Sequence, residues 1–102
     1  MLISETRTDR ANAIDSIHNY YEQLVLAEIH RQLGETRRGG DFVADVACVA
    51  LNHLPPRYIR HAVDMAFYLS PKEREEMEDK VAAAVNQALA FVEQRNQQRS
   101  AS

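Results

Sequence analysis

Residues 45–61 read DVACVALNHLPPRYIRH, and this stretch sets both the architecture and the candidate site. Val46, Ala47, Val49, Ala50 and Leu51, with Phe42 and Val43 just ahead of them, cover most of a helical circumference with apolar side chains. A helix of that kind belongs in the middle of a bundle. Its end is fixed by Pro55 and Pro56: the residue before a proline is pushed out of the helical region, so Leu54 leaves the helix and the chain turns rigidly. Beyond the turn stand Arg57, Tyr58, Arg60 and His61, with no carboxylate from Leu54 to Val63. A rigid turn that presents cations beside an aromatic ring suits a flat anionic ligand better than it suits bond-making chemistry.

Upstream, the central helix is expected over 42–53, with Asp41 as its N-cap. One narrow polar stripe survives on it: Asp41, Asp45, Cys48 and Asn52, at spacings of four, three and four. A carboxylate and an amide on a buried helix need partners, because an unsatisfied buried group costs about 1–3 kcal/mol. Asp45 therefore takes a backbone or arginine partner or faces a ligand, and Asn52 caps the helix end or does the same. The loop at 34–40, GETRRGG, carries Arg37 and Arg38; it reads as a solvated linker ahead of a ligand-gripping loop. Before it, Asn12 as cap and the stripe Ile14, Ile17, Tyr21, Leu24 and Val25 predict a first helix over 12–33, stopped by Gly34. Residues 1–11 show no period and read as a mobile arm.

Downstream, residues 58–69 (YIRHAVDMAFYL) lack clean alternation and are expected to be irregular or partly extended. Ser70, Pro71 and Glu73 form the clearest helix start in the chain, a capping box with proline in the first turn. That helix is predicted over 71–96, with a polar, disordered tail at 97–102. Its length, ~39 Å, rivals the width of a small domain. Pairing with the same helix of another chain would bury Leu89, Phe91 and Val92, so a homodimer is expected. The expectation is thus an all-α bundle of three main helices (12–33, 42–53 and 71–96) in one domain spanning 12–96.

Composition narrows the function classes. The net charge of −3 argues against general nucleic-acid binding, which needs excess Lys and Arg to displace counterions. A single cysteine, Cys48, allows no intrachain disulfide and fits a reducing cytoplasm. The start MLISETRTDR lacks a signal-peptide pattern, and no apolar run approaches the roughly 20 residues of a membrane span. A soluble cytoplasmic protein is expected. It is not expected to be an enzyme: there is no nucleophile elbow, no Gly-rich phosphate loop and no paired carboxylates with a base.

Two blocks carry a resemblance. NYYEQLVLAEI at 19–29, followed by DVACVALNHLPPRYIRH at 45–61, resembles the late competence development protein family, ComFB. The match covers about half the chain. The resemblance implies a small helical protein, usually dimeric, linked by name to competence and also to binding of the second messenger cyclic di-GMP. Many relatives carry cysteines between and near the first two helices in a pattern like a zinc site. Here that loop reads GETRRGGDF and only Cys48 remains, so zinc is not expected, and Cys48 reads as a small buried residue.

Under this resemblance the candidate ligand residues are Arg57, Tyr58, Arg60, His61, Asp45 and Asn52, with Arg37 and Arg38 as additions. Arginine grips phosphate or the guanine O6/N7 edge through two hydrogen bonds, tyrosine stacks on a base, and an aspartate, Asp45 or Asp64, accepts from guanine N1 and N2. On the residues alone, a structural bridge from Arg57 to Asp45 or Glu22 competes with this role. A ligand-free protein-interaction adaptor, docking a regulator or a motility component, is the alternative function.

Overall fold

The longest element begins where the capping box places it. Helix α5 spans Pro71–Ala101, and Ser70 and Glu73 exchange hydrogen bonds at its start: the Glu73 N–H donates to Ser70 Oγ (3.1 Å) and the Ser70 N–H to Glu73 Oε1 (3.3 Å). The computed structural model describes residues 7–36 and 38–101. Helix α5 runs past 96 to Ala101, so the tail expected to fray is helical; Gln and Arg are good helix formers and no Gly or Pro interrupts them. At 31 residues the helix is ~46 Å long.

The fold is mostly helical, in the order α1 (Arg7–Asp15), β1 (His18–Asn19), α2 (Tyr21–Leu33), α3 (Gly40–Asn52), β2 (Tyr58–Ile59), α4 (Val63–Tyr68) and α5. Helices α2, α3 and α5 pack on one another around a single core, in which Val25, Ile29, Val46, Val85 and Val92 are fully buried. Gly34 closes α2 with φ +59°, a backbone angle that favours glycine, and its N–H donates to the His30 carbonyl (3.0 Å).

Four expectations need correction. The helix predicted over 12–33 is two helices, broken at residues 16–20, and the first begins at Arg7, inside the segment read as a mobile arm. Asn12 lies within α1 and does not start it. The break has a local cause. Ser16 Oγ donates to the Ala13 carbonyl (2.6 Å), and Asn19 Oδ1 accepts the Tyr21 N–H (3.2 Å). Such short polar side chains offer the backbone an alternative to the helix. It also has a distant cause, because β1 pairs antiparallel with β2, setting His18 against Ile59 and Asn19 against Tyr58. In consequence Ile14 and Ile17 are exposed while Tyr21 and Val25 are buried.

Second, α3 is capped by the backbone of Gly39 and not by Asp41, which is exposed. Third, Cys48 is exposed. The polar stripe of α3 follows the rim of the bundle, so its polar groups do not face burial. Fourth, the 58–69 segment is extended only at Tyr58–Ile59, and the short helix α4 fills most of the rest. The far part of α5 also has neighbours within the chain. Val92 is fully buried, Arg95 donates to Asp45 Oδ2 (2.9 Å), and Arg38 pairs with Glu93.

Candidate functional site at the proline turn

The turn after α3 is pinned by one amide. Asn19 Oδ1 accepts two backbone N–H groups, that of Tyr21 at the start of α2 and that of Arg57 (3.0 Å), 38 residues further on. The Arg57 carbonyl in turn accepts the Tyr20 N–H (2.7 Å). With Pro55 and Pro56 restricting φ ahead of it, the backbone at Arg57 is held from both sides. Sequence reasoning left Asn19 out of the site. Its signals are its place partly off the apolar stripe, which leaves it free for capping or a partner, and its identity, since asparagine readily caps and turns chains.

Side chains leave this turn on two sides. Ile59 packs against the core, whereas Tyr58 is 67 % exposed and Arg60 and His61 are exposed. Successive residues of a strand point to opposite faces, so Tyr58 and Arg60 share the outer one. Arg60 Nε donates to Ser16 Oγ (2.8 Å), which ties this face to the end of α1. Arg57 instead lines a cleft of about 240 Å³ beneath the prolines, walled by Tyr21 of α2 and by Glu76, Met77 and Lys80 of α5. Among the described residues neither Arg57 nor Arg60 is paired with a carboxylate. The bridge from Arg57 to Asp45 or Glu22 does not form.

The remaining candidates lie elsewhere. Asp45 is bound to Arg95. Arg38 precedes the start of α3, at the opposite end of that helix from the turn, with its guanidinium 3.6 Å from the centre of the Phe42 ring and paired with Glu93. Arg37 lies outside the described residues. Asn52 is exposed and borders a second cavity, about 400 Å³, between α3 and α5, with Val49, His53, Gln87 and Phe91 around it. The structure thus brings together Arg57, Tyr58, Arg60 and His61, and separates from them Asp45, Asn52 and Arg38. It adds Tyr21, Glu76 and Lys80, whose nearness to the turn is a product of the α2–α5 packing.

Electrostatics at the cleft centre on Tyr21. Burial pushes its phenol above the ordinary value of 10.0, and the positive charge of Arg57 partly offsets this. Among the described residues there is no group of three or more His, Cys, Asp or Glu side chains that could hold a metal ion. No helix among them is long and apolar enough to cross a membrane.

The model of the late competence development protein ComFB family matches residues 18–96, from β1 through most of α5. The chain belongs to the ComFB family. The matched region takes in the Asn19 clip, the proline turn and the cleft, and begins at the break between α1 and α2. No curated protein matches the chain. What ComFB membership supplies here is a small helical protein connected with competence; the site chemistry rests on the residues just described.

Proposed function

We propose that this ComFB protein is a cytoplasmic receptor for cyclic di-GMP, binding it at the proline turn and relaying the signal to a protein partner. The observation that supports this most is the turn itself, where exposed Tyr58 stands beside Arg60 on the outer face, Arg57 lines the cleft on the other, and neither arginine meets a carboxylate among the described residues. Tyr58 offers its ring to one base, and Arg57 and Arg60 offer forked donors to the two phosphates. The turn is already ordered by Asn19 and the prolines, so binding loses little conformational entropy. Asp45, Asn52 and Arg38 have no part in this reading. The receptor would act as a homodimer, with exposed Phe91 and half-buried Leu89 of α5 at the contact.

Calorimetric titration of the purified protein tests the reading. Cyclic di-GMP should bind saturably, and Arg57→Ala and Arg60→Ala should each weaken it at least tenfold, the scale of one lost charge-assisted hydrogen bond. No heat at high ligand concentration would overturn it. An adaptor acting without a ligand would then be favoured by a separate observation: Phe67 of α4 is 83 % exposed, with Val63 and Tyr68 exposed beside it.

A further inference from the structure

Tyr21 is only 4 % exposed, yet its hydroxyl makes no hydrogen bond among the described residues, although the ring lines the cleft beneath Pro55 and Pro56. Its oxygen is not among the buried polar atoms left without a partner, so it opens to solvent and is accessible to a ligand in the cleft. Across the cleft stand Glu76 and Lys80, one helical turn apart on the same face of α5, and they do not pair with each other. Glu73 also lines the cleft, but its Oε1 accepts the Ser70 N–H in the capping box, whereas Glu76 makes no such bond among the described residues. Arg57 closes the fourth side.

From this we infer that the cleft is a guanine-selective base site, formed by Glu76, Tyr21, Arg57 and Lys80; as a site for the messenger's second base it rests on the cyclic di-GMP reading above. Guanine presents donors, N1–H and the N2 amino group, next to acceptors, O6 and N7. A carboxylate flanked by cations is the complement of that edge, with Glu76 accepting from N1 and N2 while Lys80 donates to O6 and N7, and Arg57 at the rim stays with the phosphate. Adenine would place the lone pair of its N1 against the carboxylate, and that position repels it. Pro56 and Met77 supply apolar walls for the ring, and the Tyr21 hydroxyl can bond the base in place of water. At about 240 Å³ the cleft falls below the roughly 300–1,000 Å³ of pockets that enclose a whole small molecule, so it admits one base and not the entire dinucleotide. The phosphates then lie over the crest at Arg57, and the first base reaches Tyr58 on the outer face.

The test compares cyclic di-GMP, cyclic di-AMP and GMP by calorimetry on the wild type, Glu76→Gln and Tyr21→Phe, with thermal melting as a check on folding. Glu76 is exposed, and Tyr21→Phe removes only an unpartnered hydroxyl, so all three proteins should melt alike. The wild type should prefer cyclic di-GMP to cyclic di-AMP at least tenfold. Glu76→Gln should lower cyclic di-GMP affinity about 10- to 100-fold and collapse the preference, as expected for one bidentate contact. Tyr21→Phe should weaken cyclic di-GMP several-fold. If the wild type binds cyclic di-GMP but both variants keep its affinity and preference, the base site is refuted while the receptor reading stands. If cyclic di-GMP fails to bind but GMP binds in a Glu76-dependent way, the receptor reading fails and the guanine site survives. Binding of neither refutes both.

Discussion

Replacing Asn19 with alanine should damage this protein more than its partial exposure suggests. The Asn19 carbonyl oxygen holds the N–H groups of Tyr21 and Arg57 together, and no other side chain takes its place. The bond to the Tyr21 N–H at the first residue of α2 is worth about 0.5–1.5 kcal/mol. The second bond adds about 0.5–1.5 kcal/mol, toward the low end because Arg57 is exposed and its N–H can turn to water. A total near 2 kcal/mol should lower the melting temperature by about 8–16 °C in a domain of this size. Asn19→Asp keeps an acceptor at the same place and should melt within a few degrees of wild type at neutral pH. Thermal denaturation followed by circular dichroism reads both values. A melting temperature for Asn19→Ala within about 2 °C of wild type would show that the prolines alone hold the turn, and the clip would lose its role.

Other perturbations separate strong effects from weak ones. Ile29→Ala empties a fully buried position and should cost about 2–5 kcal/mol in denaturant unfolding, whereas Asp45→Ala breaks a partly exposed ion pair and should cost less than about 1 kcal/mol. Ser70→Ala removes the capping box of α5 and should cost about 1 kcal/mol, with faster hydrogen exchange confined to the first turn of that helix. The raised Tyr21 phenol favours the protonated fold: its contribution is complete below 10.0, the unfolded value, and is lost as pH rises through the higher folded value. Tyr21→Phe should therefore flatten the alkaline decline in stability, and an unchanged slope would locate that decline elsewhere.

What could be read in advance was mainly what neighbouring residues determine. The Ser70–Glu73 box, the glycine stop at Gly34 and the apolar helix running into Pro55 and Pro56 are local rules, and each lies where the sequence puts it. The break before α2 was hidden because Ile14 and Ile17 continue the helical period across Ser16–Tyr20, although both are exposed and lie outside the core. What defeats that period is a pairing with Tyr58–Ile59, some 40 residues away, which no window on the first helix contains. The site divides along the same line. Arg57, Tyr58, Arg60 and His61 are contiguous and were legible, whereas Tyr21, Glu76 and Lys80 join them only once α2 and α5 pack. Asp45 and Arg38 were drawn away by Arg95 and Glu93, partners at the far end of α5.

Because Asn19 grips Arg57, the two central helices form a closed ring of chain, with the 34–39 segment as its outermost link. Widening that link lengthens the ring without disturbing the clasp, and doubling the length of such a link costs only ~0.6 kcal/mol. Residues inserted beside Gly39 should therefore be tolerated, leaving the proline turn in register at the opposite pole of the bundle.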